Sequence, residues 1–386
     1  MTYKVGSLFA GVGGVCLGFK NATSNNDNYE LVWANEIDEH ACATYSHNFD
    51  HTLVQGDIEK IVKPEREENA DKRNEYIEKQ ELILSQKIDI LTGGFPCQAF
   101  SIAGYRKGFD DHRGNLFWSI IDLIKQLEER ESKPKVLFLE NVKNLLTHDN
   151  KKTYQVIKGE LEALGYTIKE KVINTKDFSN LPQNRERIYI VGFLDNKTAD
   201  AFTLFNNLDN YKVNKSVEDR RKDISDILDL TSKENEISEF YYTKKKYPNY
   251  FISEEEYESL NEEDRKDTRI NLDEDITESL EFYQVRRGMY VRKNQNNVCP
   301  TLTANMGTGG HNVPLIKVND GIRKITPAEA FKLQGFPIGN GYELPTTFNG
   351  KKFSNSYLYK QAGNAVSVDV ITLIATAILD ALQNLN

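Results

Sequence analysis

The sequence predicts an α/β protein with a doubly wound, mostly parallel sheet and a second, smaller domain. Short apolar runs alternate with amphipathic stretches through the first half of the 386 residues, as in repeated strand–helix units. After residue 193 the alternation gives way to a polar, irregular region that extends to about residue 322. This region is rich in Asn, Asp, Glu and Lys, so the change in composition marks the second domain.

The elements follow from the spacing of the apolar residues. Apolar runs predict strands at 3–9, 29–35, 88–92, 136–140, 166–174 and 187–193. Helical spacing predicts helices at 14–21, 39–48, 116–131 and 153–164. Segment 64–87 is predicted to be a solvated helical insertion, because its charges are of mixed sign. Segment 366–385 is amphipathic, which predicts a last helix that returns to the sheet of the first domain.

The composition bounds the class of protein. With 39% hydrophobic and 10% aromatic residues, the chain has an ordinary globular composition. No apolar run approaches the ~20 residues of a membrane span, and the N-terminus lacks a signal-peptide pattern, so a cytoplasmic protein without membrane contact is expected. The net charge of −9 argues mildly against a nucleic-acid partner. A compact basic stretch nevertheless follows an acidic one, and it consists of Arg286, Arg287, Arg292 and Lys293.

A glycine-rich turn after the first predicted strand indicates a cofactor site. Gly11, Gly13 and Gly14 permit a tight turn and let the next helix present its N–H groups to a ligand. Glu36 ends the second strand, where an acid can bind ribose hydroxyls, and Asp57 follows in the segment QGDI (55–58). Because no phosphate-binding lysine motif is present, S-adenosylmethionine fits better than NAD or ATP. A plain strand–helix turn stays open as the alternative for this loop alone.

Cys97 lies on a loop at a predicted ligand-binding edge. The segment GGFPCQAFSIAG (93–104) follows a predicted strand, and open α/β sheets bind ligands at the carboxyl edge of their strands. A structural cysteine normally lies within an apolar periodic run, whereas Cys97 stands between Pro96 and Gln98; for an isolated cysteine a structural role stays the alternative. The four cysteines lack metal-ligand spacing, so no metal is expected. Packing roles are expected for Cys16, Cys42 and Cys299.

Six motifs occur in order along the chain. They are FAGVGG (9–14), PCQ (96–98), ENV (140–142), LPQNRERIYIVGF (181–193), RKITPAEAFKLQGFP (323–337) and YKQAGNAVSVDV (359–370). In these motifs the chain resembles the cytosine-C5 DNA methyltransferase family of bacterial restriction-modification systems. The resemblance fails in 64–87 and in most of 197–283.

The resemblance implies a Rossmann-like S-adenosylmethionine-dependent methyltransferase fold. Residues 1–196 with 355–386 would form the catalytic and cofactor-binding domain, 197–325 the target-recognition domain and 326–354 a hinge. The implied cofactor is S-adenosylmethionine, which leaves as S-adenosylhomocysteine, without a metal. Its implied contacts are Phe9, Ala10, Gly11, Gly13, Gly14, Glu36, Ile37, Asp57, Ile58, Pro96, Asn364 and Ala365.

The resemblance also implies which residues react. Cytosine C5 is a poor nucleophile, so a thiolate must first add at C6, and Cys97 holds that position. Glu140 would bond N3 and the exocyclic amine of the base. Arg187, with Arg185 nearby, would face the charge that develops at O2, and a structural ion pair is the alternative for either arginine.

The implied substrate is double-stranded DNA, from which the target cytosine must be flipped. Segment 104–118 resembles the family's mobile loop. In segment 283–316 arginines alternate with aromatic and apolar residues before a Thr–Leu pair, as in enzymes whose targets contain a CC…GG core. His311 is either a loop hydrogen-bonder or a DNA contact. The implied DNA contacts are Gln98, Ser101, Arg106, Arg113, Arg286, Arg287, Arg292, Thr301 and Leu302.

Three other functions compete with this prediction. A tRNA cytosine-C5 methyltransferase shares the fold and motifs, but segment 283–316 favours DNA. An inactive DNA-binding regulator would not need Cys97, Glu140 and Arg187 together. A nicotinamide-dependent oxidoreductase leaves PCQ and ENV unexplained. The protein is expected to be a monomer, with a cognate restriction endonuclease as a functional partner that forms no stable complex.

Overall fold

The computed structural model of the chain describes residues 1–95, 116–261, 263, 265, 269–286, 288–308 and 311–383. Its helices are α1 Gly14–Asn21, α2 Glu39–Ser46, α3 Ile58–Val62, α4 Ala70–Leu84, α5 Leu116–Glu129, α6 Lys152–Ala163, α7 Thr175–Phe178, α8 Asn196–Ala201, α9 Val217–Ile227, α10 Glu254–Glu258, α11 Leu272–Asp275, α12 Pro327–Lys332, α13 Asn355–Asn364 and α14 Val368–Gln383.

A seven-stranded sheet confirms the predicted mostly parallel α/β fold. Its strands are β1 Thr2–Leu8, β2 Asn28–Glu36, β3 Thr52–Gln55, β4 Ile90–Gly93, β5 Val136–Val142, β6 Thr167–Asn174 and β7 Glu186–Phe193. They lie in the order β3-β2-β1-β4-β5-β7-β6. The strands β1 to β5 pair in parallel, whereas β7 runs antiparallel to both β5 and β6. The first residues of β7 therefore lie at the carboxyl edge of the parallel strands.

The helices form where the apolar spacing predicted them. In α5 the buried side chains recur at helical intervals, as Phe117, Ile120, Ile121, Ile124 and Leu127. Segment 64–87 contains the predicted helix as α4, which begins after the N-cap Asn69. The last predicted helix is α14, and the separate helix α13 precedes it.

The chain divides into two units. Unit 1 comprises Met1–Asn174, Glu186–Lys212 and the chain from Val366, and unit 2 comprises Thr175–Arg185 and Val213–Ala365. Compared with the predicted boundaries, unit 1 continues past residue 196 to Lys212. The predicted hinge 326–354 lies inside unit 2, and so do residues 355–365, which were predicted to belong to the first domain. Segment 175–185 belongs to unit 2 and interrupts unit 1 directly before β7. The sequence did not predict this interruption.

The core of unit 1 packs the sheet against its helices. Trp33 is fully buried, and a Cβ at Gly6 on the neighbouring strand would overlap its ring. The helices α1 and α14 pack so closely that a Cβ at Gly18 would overlap Ile371. This close approach explains why glycine is required at position 18.

Unit 2 is built around an antiparallel sheet. Its strands are β8 Tyr241–Tyr242, β9 Tyr283–Arg286, β10 Tyr290–Lys293, β11 Leu315–Val318 and β12 Gly321–Lys324, in the order β10-β9-β11-β12-β8. A further hairpin joins β13 Thr347–Phe348 to β14 Lys351–Lys352. The buried guanidinium of Arg323 donates to both carboxylate oxygens of Glu329, at 2.7 and 2.8 Å.

Among the described residues, one stretch that comprises α13 and α14 has the length and composition of a membrane span. It is Asn355–Gln383, and 67% of its most apolar window is buried inside the protein. A mostly buried stretch of this kind is typical of a core helix.

Candidate functional site

The turn between β1 and α1 has an unusual backbone. Phe9, Gly11 and Gly13 have positive φ angles of 53°, 56° and 84°. A Cβ at Gly13 would overlap the ring of Phe49, whereas a Cβ at Gly11 would meet nothing within 4 Å. Gly13 is therefore fixed by packing, while Gly11 leaves open space at the mouth of the turn.

The carboxylate of Glu36 closes this turn. Its Oε2 accepts a hydrogen bond from Gly11 N at 2.8 Å, and its Oε1 accepts from Ile37 N and Asp38 N, both at 2.8 Å. The end of β2 and the glycine turn are thus held together by one side chain. Because each carboxylate oxygen has two lone pairs, Oε2 retains one acceptor position for a ribose hydroxyl.

Asp57 and Ile58 lie at the start of α3. Asp57 Oδ1 caps the helix by accepting from Glu59 N at 3.0 Å, while the side chain of Ile58 is buried. The preceding turn is held by Asn35 Nδ2, which donates to Val54 O and Gly56 O at 2.8 and 3.0 Å.

A cavity of about 530 Å³ adjoins this turn. It is lined by Ile37, Leu53, Val54, Gln55, Gly56, Asp57, Glu75, Tyr76, Lys79 and Leu82. Its volume is in the range of small-molecule sites. The open space at Gly11, the carboxylates of Glu36 and Asp57 and this cavity fit a nucleoside, so the residues present suit S-adenosylmethionine.

Glu140 and Arg187 form an ion pair at the carboxyl edge of the sheet. Arg187 pairs with Val142 across β5 and β7, so Glu140 is its diagonal neighbour on the same face. Arg187 Nε lies 3.0 Å from Glu140 Oε1, and both side chains are largely buried. Oε1 nevertheless makes no hydrogen bond within the described part of the chain. The carboxylate is therefore oriented by Arg187 and keeps hydrogen-bonding capacity for a ligand.

The chain that leads to Cys97 starts beside Glu140. A Cβ at Gly94 would lie 3.4 Å from Glu140 Oε2, and Asn141 Nδ2 donates to Phe95 O at 2.7 Å. Asn141 was not predicted from the sequence as a site residue, although it is the centre of the ENV motif. Seven predicted site residues lie outside the described residues, namely Pro96, Cys97, Gln98, Ser101, Arg106, Arg113 and Arg287.

The other three cysteines are buried. Burial raises the pKa of Cys16 and Cys299, and it raises the pKa of Cys42 to about 12. Because the thiolate is the nucleophilic form, none of these three thiols suits nucleophilic catalysis. Their burial agrees with the predicted packing roles.

Arg185 lies in unit 2 and is 2% exposed. Its guanidinium donates to the carbonyl oxygens of Leu302, at 2.8 Å, and of Gly363 and Ala365. Arg185 thus positions backbone segments of unit 2, which differs from the expected role at the base. The predicted cofactor residues Asn364 and Ala365 also lie in unit 2, at the end of α13.

A hairpin in unit 2 carries two of the predicted DNA contacts. In β9 and β10, Tyr290 pairs with Arg286 and Arg292 pairs with Gln284, so these four side chains share one face. The other face packs on the unit 2 core through residues such as Val285. The structure therefore brings the exposed Arg286 and Arg292 together on the outer face, whereas Arg287 lies outside the described residues.

Thr301 and Leu302 take part in the packing of unit 2. Leu302 is 1% exposed, and Thr301 Oγ1 donates to Asn184 O at 2.5 Å. The burial of Leu302 argues for packing and against the direct DNA contact expected from the sequence. The ring nitrogens of His311 hydrogen-bond the hydroxyls of Tyr242, at 3.0 Å, and of Tyr250, which makes it a hydrogen-bonding residue of the loop.

No group of three or more His, Cys, Asp or Glu side chains that could hold a metal occurs among the described residues.

Comparisons with known proteins connect these features to one family. The sequence model of C-5 cytosine-specific DNA methylases matches residues 3–380. Type II methyltransferase M.Bsp6I of Bacillus sp. (strain RFL6) is 43% identical over 373 residues, which cover 96% of this chain and 97% of that protein. Type II methyltransferase M.HpaII of Haemophilus parainfluenzae is 32% identical and covers 98% and 89%, respectively. The crystal structure of the S. pombe Dnmt2 methyltransferase matches 100% of this chain and 99% of its own, with a TM-score of 0.60 at 16% identity, and shares the fold.

Proposed function

The chain belongs to the C-5 cytosine-specific DNA methylase family and is a DNA (cytosine-5-)-methyltransferase, and from this premise we propose that it methylates a cytosine flipped out of one specific duplex sequence. The observation that carries the proposal is the pair of Glu140 and Arg187 beside Gly94, which leads to Cys97. A thiol, a carboxyl group and a guanidinium are the groups that addition to a cytosine ring requires.

Cys97 is proposed as the nucleophile. Its thiolate forms a bond from Sγ to C6, and the electron pair of the C5–C6 double bond becomes available at C5. S-adenosylmethionine, when bound, would supply the methyl group to C5 and would leave as S-adenosylhomocysteine. Loss of the C5 proton to water and cleavage of the Sγ–C6 bond then restore the double bond and release the thiolate.

Glu140 and Arg187 are proposed to hold and polarise the base. The carboxyl group of Glu140 is proposed to hydrogen-bond N3 and to accept a hydrogen bond from the exocyclic amine, which makes C6 more electrophilic. Its buried Oε1, which lacks a hydrogen bond among the described residues, supports this role. Arg187 orients Glu140 and offsets the charge at O2. Arg185 is proposed to act indirectly, through the backbone of unit 2 that it positions.

The cofactor site is proposed to use the turn that Glu36 closes. Gly11 leaves room at the turn, Glu36 binds ribose hydroxyls, and Asp57 Oδ2 stays available for a polar edge of the adenine, because only Oδ1 caps α3. Phe9, Ala10, Gly13, Gly14, Ile37 and Ile58 are proposed to shape this surface. For Pro96, Asn364 and Ala365 a cofactor contact is proposed from the resemblance alone.

The DNA is proposed to contact the outer face of the hairpin β9–β10 through Arg286 and Arg292. The other proposed DNA contacts come from the resemblance. They are Thr301 and five residues outside the described part of the chain, namely Gln98, Ser101, Arg106, Arg113 and Arg287. A target with a CC…GG core follows from the resemblance of segment 283–316. The protein is proposed to act in the cytoplasm as a monomer, with a cognate restriction endonuclease that binds the same sequence separately.

A methyl-transfer assay with labelled S-adenosylmethionine tests the function. We expect label in duplex DNA but not in tRNA, and a covalent adduct on duplexes that carry 5-fluorocytosine, because fluorine cannot leave C5 as a proton. Label in tRNA alone would assign the chain to RNA methylation. DNA binding without label or adduct would make it an inactive regulator. Bisulfite sequencing of DNA from a host that expresses the chain would identify the target.

A further inference from the structure

The helix α4 lies where the family resemblance fails, yet it is tied firmly to unit 1. Gln80 Nε2 donates to Val62 O at 2.9 Å, and Arg130 Nη2 donates to Glu81 Oε2 at 2.8 Å. The side chain of Ile83 is fully buried in the core. This inserted helix therefore has a fixed position and is more than a solvated surface segment.

One side of α4 faces the turn that carries Asp57. A Cβ at Gly56 would lie 3.4 Å from Tyr76 Cε1 and 3.5 Å from Lys79 Nζ. The cavity of about 530 Å³ lies between this side of α4 and the residues Ile37 and Asp57. Ile37 is 63% exposed, and Leu82 on α4 is 38% exposed, so apolar surface is available on both sides of the cavity.

The ammonium groups of two lysines lie over the ring of Tyr76. Lys60 Nζ lies 5.9 Å and Lys79 Nζ lies 5.4 Å from the ring centroid. Each lysine has its own carboxylate partner, Glu67 for Lys60 at 2.7 Å and Glu75 for Lys79. Tyr76 also packs against the core of unit 1, which limits the positions of its ring before a ligand enters and so lowers the entropic cost of binding.

We propose that α4 forms the outer wall of the adenosine subsite, with Tyr76 and the aliphatic part of Lys79 in contact with the nucleoside. This inference rests on the proposed function, since it takes S-adenosylmethionine to bind at Glu36 and Asp57. Adenosine offers a flat ring with apolar faces and a polar edge. An oriented aromatic ring, two aliphatic side chains and a carboxylate around one cavity match that chemistry.

Calorimetric titration of the full chain with S-adenosylhomocysteine tests the wall without any methylation. Tyr76→Ala should raise the Kd about tenfold, which corresponds to ~1.4 kcal/mol. The loss should be equal for 5′-methylthioadenosine, because the contact involves only the nucleoside. Ile77→Ala is the matched control, since Ile77 is exposed on α4 and does not line the cavity, and its Kd should stay at the wild-type value.

The outcomes separate the two proposals. Wild-type affinity in Tyr76→Ala, with normal binding by the parent chain, would overturn the role of α4 alone. Absence of binding by the parent chain would overturn the proposed cofactor and with it this inference. If Tyr76→Ala unfolds, as judged by its circular dichroism, Tyr76→Leu keeps apolar bulk without the flat ring. Tyr76→Leu should then bind S-adenosylhomocysteine more weakly than the parent chain. Wild-type affinity in Tyr76→Leu would contradict the proposed contact between Tyr76 and the nucleoside.

Discussion

A substitution of Glu140 can distinguish an effect on the methylation step from an effect on the recognition of the DNA sequence. Glu140→Gln keeps the shape of the side chain but cannot transfer a proton, so we expect kcat to fall by about 10²–10⁴-fold. Steady-state kinetics on the target duplex measures this change. The preference among DNA sequences should stay the same, because the residue is proposed to act on the flipped base.

The control for this variant is Glu186→Gln. Glu186 is an exposed carboxylate next to Arg187, and it pairs with Lys143 at 2.8 Å. Its kcat should remain at the wild-type value. Relaxed target choice in Glu140→Gln, with normal kcat, would mean that Glu140 reads the sequence instead.

Cys97→Ser tests the covalent route. A hydroxyl is a far weaker nucleophile at neutral pH, so turnover should fall by at least about 10³-fold and the adduct with 5-fluorocytosine DNA should disappear. Affinity for S-adenosylhomocysteine should be unchanged, as calorimetry would show. The buried Cys16 serves as the control position, and Cys16→Ala should still form the adduct. Near-normal turnover in Cys97→Ser would contradict the mechanism.

Site residues could be predicted from the sequence where the local backbone conformation requires a particular residue type. Gly11 and Gly13 were predicted because a tight turn after a strand requires their conformations, and Glu36 because it ends the neighbouring strand. Arg185 was placed in the reaction because it stands two residues before Arg187. The structure gives it carbonyl partners in unit 2, which only the three-dimensional path of the chain determines.

The hairpin β9–β10 can be tested as an element. Arg286→Ala and Arg292→Ala should each weaken DNA binding, because both guanidiniums lie on the outer face. A lost phosphate contact lowers the slope of log K against log salt by about 0.9, and a lost base contact costs ~1–3 kcal/mol and relaxes the target preference. Titrations at several salt concentrations distinguish these two cases.

Lys293→Ala is the matched control for the hairpin. Lys293 has the same charge and lies on the same strand, but it points to the other face, where it pairs with Glu278 at 2.7 Å. Its removal should leave the salt dependence unchanged. Equal affinity of both arginine variants and the parent chain at every salt concentration would remove the hairpin from the DNA interface.

Helix α4 shows what could not be predicted at the scale of elements. Its mixed charges predicted a helix on the surface, and a helix is present. The aromatic side chain that faces the cavity is a single Tyr76 among charged residues, so no periodic apolar face marked it. The ring of Tyr76 contacts Lys60 and Lys79, and contacts between lysines and an aromatic ring cannot be recognised from the spacing of residues in a sequence.

At the scale of the molecule, the proposed cofactor should stabilise the fold. A ligand at 100 times its Kd adds about 2.7 kcal/mol to the free energy of unfolding, so S-adenosylhomocysteine should raise the Tm by several degrees. Scanning calorimetry with and without the ligand measures the shift. NAD at the same concentration is the control and should cause none. A shift with NAD alone would favour a nicotinamide-dependent enzyme.

The mostly parallel sheet could be predicted from the alternation of apolar runs, but the division of the chain into two units could not. Segment 175–185 belongs to unit 2 although both its neighbours in sequence lie in unit 1. Composition changes gradually along the chain, whereas the division depends on which segments pack together. The boundaries predicted from the sequence therefore do not contain this short excursion.

The reversed direction of β7 has a consequence for how sequences of this kind can diverge. Because β7 pairs antiparallel with β5, Arg187 at its start meets Glu140 near the end of β5. Residues can be inserted or deleted between β5 and β7 without moving this pair, as long as the two strands keep their register. A slip by one residue would instead turn Arg187 to the opposite face of the sheet. Length variation in the connections from β5 to α6 and from α6 to β6 should thus be tolerated, while single-residue insertions within β5 or β7 should not.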